Sequence, residues 1–199
     1  GDSMVAFGSG NTFNMFAGAT WTNGETINDS IRVRGSISRT SAAGNLVYGQ
    51  VGYPYHIFGD LQSSNNTGDT LTLTANGNGD VYFYADIVGS AQGEANTEYL
   101  TGLTINNAQD VIFYEEVTVA GNVSINATGR VTFQKGVTLL NGGSLTVTGA
   151  QSIYFPATSS IWLDNDNLTS NGIAAGGGNL LLQADEIDIA ISGSQIKGS

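Results

Sequence analysis

The sequence predicts an all-β fold, a parallel β-helix (β-solenoid) of about six coils, roughly 20–22 residues per coil, with three short strands in each. Three observations carry that reading. The stretch from Leu103 to Leu163 repeats itself three times, apolar residues within each repeat alternate with polar ones, and the composition suits short strands and tight turns.

The repeat begins at Leu103, Val123 and Leu145, at spacings of 20 and 22 residues. Eight residues after each start stands Val111, Val131 or Ile153, and two residues further on Phe113, Phe133 or Phe155. A third apolar pair closes each pass: Val117 and Val119, Val137 and Leu139, Ile161 and Leu163. Self-similarity at a short period marks a solenoid, in which each pass is one coil stacked on the last. Alternation at two-residue spacing is the half-buried strand pattern and not the helical one. Coils stacked at about 4.8 Å line Leu103, Val123 and Leu145 into one inward column and Phe113, Phe133 and Phe155 into another. The phenylalanine column reads as core.

Composition agrees. The chain has 199 residues, 28 Gly and 2 Pro, with charged residues at 12% and a net charge of −11. That length supports one domain with a sizeable core, and abundant Gly, Thr, Asn and Ser suit many strands joined by tight turns. An acidic chain repels phosphate backbones, which argues against a nucleic-acid partner. No run of eighteen apolar residues occurs, which argues against membrane insertion. Zero cysteines argue against a disulfide-stapled domain and fit a bacterial exoprotein that travels unfolded.

Residues 1–26 are glycine-rich and hold Phe7, Phe13, Phe16 and Trp21 without periodicity. An open β-helix end exposes backbone and core, so this segment is expected to be an N-terminal cap or flanking segment, with the β-helix at 27–199. From Ile27 to Leu61 a stretched coil appears: Ile31, Val33 and Ile37 point inward, Arg32 and Arg34 outward. The run Asn45 to Val51 aligns in its apolar spacing with Asp80 to Ile87, and His56 to Leu61 supplies the third strand. Arg32, Arg34 and Arg39 make residues 1–68 nearly neutral and leave about −10 on the remainder. They read as solvated strand positions, although a basic patch beside an acidic rod also suits head-to-tail contacts. The next coil comprises Leu71, Leu73, Val81, Phe83 and Ile87. Polar insertions follow between Ile87 and Leu103 and from Asp164 to Asn179, and in solenoids such loops often carry function. The last coil is Leu180, Leu182, Ile187 and Ile189, ending near Ile196.

Candidate chemistry is sparse. His56, the one histidine, reads as structural or exposed. Asp164 and Asp166 alternate in a Gly/Asn-rich loop and form half of a possible Ca²⁺ site, the one cofactor suggested; the complete EF-hand loop and the nonapeptide calcium roll are absent. Asp185, Glu186 and Asp188 sit together in the last coil, and Asp110 beside Arg130 reads as a charge pair across the ladder. No outward column gathers the acids and bases that polysaccharide cleavage needs, so no catalytic residue is assigned. Outward Thr72, Thr104, Ser124 and Thr146 suit a flat hydrogen-bonded ladder. Ice binding by that face ranks low, because Asn106 and Asn126 break the Thr pattern. Tyr82, Tyr84, Tyr114 and Tyr154 on the second face, with Trp162 on the third, form the candidate surface for a partner or for sugar rings.

Leu71-Thr-Leu-Thr, Gly79-Asp-Val-Tyr-Phe, Leu103-Thr-Ile-Asn-Asn-Ala, Val123-Ser-Ile-Asn-Ala-Thr-Gly-Arg-Val-Thr-Phe and Ala184-Asp-Glu-Ile-Asp resemble the repeats of very large secreted bacterial exoproteins. These are the filamentous-haemagglutinin-like adhesins and the LEPR-XLL-type giant surface proteins, and the resemblance spans roughly residues 27–196. The LEPR tetrapeptide is absent from this sequence. The resemblance implies a right-handed β-helix in a secreted or cell-surface bacterial fibre that works without catalysis in attachment or cell–cell contact. It implies neighbouring modules of the same long chain or other fibre subunits as partners, and cell-surface glycans or proteins as receptors. The alternative is a carbohydrate-active β-helix that binds or cleaves glycans through Tyr82, Tyr114, Tyr154 and Trp162.

Overall fold

The computed structural model describes residues 12–16, 25–28, 30–41, 44–59, 69–76, 79–88, 99–163, 178–191 and 196–198. The described residues are all β, with no helix that is long and apolar enough to cross a membrane. In chain order the early strands are β1 (Thr12–Phe16), β2 (Glu25–Ile27), β3 (Ser30–Arg34), β4 (Ser36–Thr40), β5 (Leu46–Tyr48) and β6 (His56–Phe58). Next come β7 (Thr70–Thr74), β8 (Val81–Phe83) and β9 (Asp86–Ile87). The tight passes are β10 (Gly102–Ala108), β11 (Val111–Phe113) and β12 (Val117–Val119), then β13 (Asn122–Ala127), β14 (Arg130–Phe133) and β15 (Gly136–Leu139). β16 (Leu145–Phe155) and β17 (Ser160–Leu163) form another, followed by β18 (Leu180–Ile189) and β19 (Ile196–Gly198).

Each inner strand pairs in parallel with its counterparts one pass earlier and one pass later, so like positions stack on like. Leu71, Leu103, Val123 and Leu145 share one register column. Val81, Val111, Val131 and Ile153 share a second, and Ile57, Ile87, Val117, Val137 and Ile161 a third. Two curled sheets result. One has eight strands in the order β1-β3-β6-β9-β12-β15-β17-β19. The other has eleven and turns through two faces, joined where β16 runs from one face into the next, with β18 paired to β16. The architecture is β-solenoid-like.

The columns form a continuous buried core. The expected stack of Phe113, Phe133 and Phe155 is in place, with ring centroids 4.8 Å apart and planes within 7°. It is longer than the three repeats suggested. Phe83 lies 4.7 Å from Phe113, and Tyr48 lies 5.4 Å from Phe83, so five rings run through the core. Offset-parallel rings at this spacing add attraction to the area they bury.

Several details depart from the sequence reading. The first two strands of the third repeat fuse into the 11-residue β16, because Gly149 (φ 76°) turns the corner without leaving the ladder. Asn107 (φ 55°) is the matching extra residue in β10, where the register to β13 shifts between Ile105 and Ala108. Val51 does not occupy the column of Ile87. Ile57 does, while Val51 sits in a turn and is 72% exposed. Leu46 and Tyr48 pair with Val81 and Phe83 as aligned. Arg39 is not solvated: it pairs with Leu73 at a core-facing position and is 1% exposed. Strand alternation with Ile37 decides its direction over its charge. Arg32 is half-buried with its guanidinium 5.1 Å from the Phe58 ring centre. Within the span read as a cap, β1 pairs with β3 and β2 with β5 as strands of the ladders.

Candidate binding surface

Three Asx residues that precede strands prepare the aromatic face. The Asp80 backbone N–H donates to Asn45 Oδ1 (3.0 Å), the Asp110 N–H to Asp80 Oδ1 (3.2 Å) and the Arg130 N–H to Asp110 Oδ1 (2.7 Å). Each side chain therefore caps the backbone of the next pass. The contact between Asp110 and Arg130 is this carboxylate-to-backbone bond and not the expected side-chain charge pair. The same device recurs at another corner, where Asn122 Oδ1 accepts from the Ser144 N–H at 2.9 Å and Ser144 Oγ from the Asn179 N–H at 3.0 Å. Sequence reading passed over these residues because it followed apolar spacing; an Asn or Asp just before a strand, pass after pass, was the available signal.

On that frame Tyr82, Ile112, Thr132 and Tyr154 share one outward register column. Tyr84 and Tyr114 follow Phe83 and Phe113 at the next corner. The structure brings Tyr82, Tyr84 and Tyr114 together. Tyr84 and Tyr114 stack at 4.4 Å with planes 10° apart, and Tyr82 is 6.4 Å from Tyr84 at a 36° tilt. Tyr154 lies three passes from Tyr82 along its column, past Ile112 and Thr132, and Trp162, 44% exposed, belongs to the other sheet in register with Thr138. The five expected residues are therefore one cluster and two separate rings.

The Tyr82 hydroxyl donates to Asp80 Oδ2 at 2.7 Å. Partial burial, with Asp80 beside it, holds that hydroxyl well above the ordinary tyrosine range. Partial burial and a hydrogen bond with Tyr84 likewise raise Tyr114. The Tyr82 and Tyr114 phenols are therefore uncharged near neutral pH, and the three rings present flat apolar faces with polar rims, the chemistry that suits stacking on sugar rings.

A second stacked pair, not singled out from the sequence, lies in the loop before β6. Tyr53 and Tyr55 stack at 5.7 Å and 9°, with Tyr53 50% exposed. The Asp86 N–H donates to the Tyr55 carbonyl (3.0 Å), which places this loop one pass before the corner that follows Tyr84. His56 Nδ1 lies 3.6 Å from Asp86 Oδ2, and Lys135 pairs with Glu115 one pass back, which holds the lysine above its usual range. Asp164 and Asp166 lie outside the described residues. Among the described residues no group of three or more His, Cys, Asp or Glu is gathered to hold a metal ion.

No protein-family model matches the chain, and neither a curated protein nor a solved structure matches it. The class that the geometry defines is an all-β, parallel, solenoid-like stack with a tyrosine-bearing face.

Proposed function

We propose that this chain is a right-handed parallel β-helix of about six coils that serves as a non-enzymatic structural or adhesive segment of a bacterial extracellular or cell-surface fibre. The observation that supports this best is the unbroken register of the core columns, capped from pass to pass by side chains that bond the next backbone. Such a stack works mechanically. It holds two ends apart and presents its outer columns and loops to a receptor.

The tyrosine pairs support a second reading, a carbohydrate-active β-helix. Beads coated with the 199-residue chain, tested for retention on bacterial and host cells, together with a glycan array and a reducing-end release assay, separate the two. The proposal expects retention without release of reducing ends. Release from any polysaccharide overturns the non-enzymatic reading, and glycan binding lost in Tyr84→Ala and Tyr53→Ala identifies the tyrosine face as the receptor site.

A further inference from the structure

Charge is spread unevenly along the chain. No Lys or Arg occurs between Arg39 and Arg130, a stretch that holds every tyrosine except Tyr154. The structure gathers that bias onto one face. One pass presents Asp80, Tyr82, Tyr84 and Asp86 outward, and the next presents Asp110, Ile112, Tyr114 and Glu116. Asp80 lies beside Asp110 and Asp86 beside Glu116, so carboxylates border the rings on both sides. Three of these carboxylates are fixed by backbone: Asp80 accepts from the Asp110 N–H, Asp110 from the Arg130 N–H, and Asp86 from the Glu116 N–H at 3.1 Å. Such bonds hold a carboxylate in place without neutralising it. Among the described residues no Lys or Arg side chain pairs with Asp80, Asp86, Asp110 or Glu116. Lys135 shows what this corner attracts. Its ammonium sits on Glu115, and that hydrogen bond, with the charges of Glu115, Asp86 and Glu116, holds the lysine above its usual range.

We propose that this face binds a cationic glycan, a polymer of amino sugars that carry free ammonium groups. The proposal rests on the carbohydrate reading of the tyrosine face and adds the charge of the ligand to it. Tyrosine rings suit the flat faces of sugars, a carboxylate beside them suits an ammonium, and an ammonium over a tyrosine ring gains further attraction. Neighbouring passes lie about 4.8 Å apart, so a glycan laid along the stack meets a new carboxylate at each step. Other ligand classes fit less well. An acidic glycan or a nucleic acid meets like charge. An extended peptide gains its main-chain bonds by adding to a free sheet edge. Here β8 lies between β5 and β11, and β11 between β8 and β14, so a basic peptide would be left with side-chain contacts alone. A glycan needs no edge, since its ring faces, hydroxyls and amines make all of its contacts.

Calorimetric titration of the 199-residue chain with hexamers of β-1,4-linked glucosamine and of N-acetylglucosamine tests this, at about pH 6 so that the free amines are protonated. The free-amine hexamer is expected to bind at least about tenfold more tightly than the acetylated one. D80N/D86N/D110N keeps an oxygen acceptor at each position and removes three charges. It is expected to abolish that preference and to leave the affinity for the acetylated hexamer unchanged. D185N/E186Q/D188N removes the same charge from β18 and is expected to keep the preference. Y84A/Y114A is expected to lose both hexamers, with circular dichroism as the check on folding. Salt gives a reading that needs no variant: raising it from about 50 mM to about 500 mM is expected to erase the preference of the parent chain. The proposal is overturned if the acetylated hexamer binds as tightly as the free-amine one, which leaves the carbohydrate reading standing. It is overturned if the two triple variants behave alike, or if hexalysine displaces the free-amine hexamer as well as that hexamer displaces itself. If neither hexamer binds, it falls, and the carbohydrate reading falls with it only if the glycan array is also blank.

Discussion

Tyr48 stands where later passes carry phenylalanine, and its hydroxyl is buried in the core with no hydrogen-bond partner among the described residues. Burial pushes that hydroxyl up to about 12, partly offset by nearby Arg39. A tyrosine raised in the folded state contributes full stability below its unfolded value near 10 and loses it as the pH climbs from about 10 through about 12. Tyr48→Phe removes both the stranded hydroxyl and the titration. It is expected to leave stability at neutral pH unchanged or raise it by up to about 1 kcal/mol. It is also expected to reduce the alkaline loss, read as urea midpoints at about pH 8 and about pH 11. Asp110 is the opposite case, a polar side chain with a structural partner. Asp110→Ala removes the acceptor of the solvent-accessible Arg130 N–H and is expected to cost about 0.5–1.5 kcal/mol. Asp110→Asn keeps an oxygen in place and is expected to stay within about 0.5 kcal/mol of the parent in the same urea titrations.

Among the elements, the corners separate what was readable from what was not. Strands β10 to β17 were legible because the apolar period of two repeats at almost constant spacing. A one-residue slip would turn every core side chain outward, so a single register survives. The spacing of eight residues persists even though β10 and β16 carry an extra corner residue and β13 does not: the turn from Ala127 to Val131 is one residue longer. Before β7 the passes vary in length: Ile57, eleven residues after Leu46, takes the place that Ile87 takes six residues after Val81, whereas Val51, five residues after Leu46, only comes close to the later spacing. Arg39 was misread because charge was weighed over alternation. The tyrosine cluster was half legible, since neighbours within a column follow from register, whereas the Tyr53–Tyr55 loop has no repeat to align it. Glycine corners make a further test. A Cβ on Gly121 would collide with the Thr101 carbonyl, and one on Gly143 with the Gly121 carbonyl. Gly121→Ala is expected to lower the thermal midpoint, with a loss of about 1–3 kcal/mol.

Across the whole molecule, stability is a sum of nearest-neighbour terms, since each pass touches only the passes beside it. Truncating Phe113 removes ring contacts on both sides, to Phe83 and to Phe133, and Phe113→Ala is expected to cost about 3–5 kcal/mol in a thermal or urea melt. Amide exchange is expected to be slowest in β11 and β13, which have a strand on each side, and fastest in β18, which has one among the described residues.

The side-chain caps that reach from one pass to the next have a mechanical corollary. The hydrogen bonds between passes run along the direction of stacking, so tension applied in that direction loads them in series, one layer at a time. A molecule tethered at both extremities and stretched should peel as a train of small, evenly spaced force peaks. Load applied along the strands would instead strain a whole ladder in parallel and meet far greater resistance.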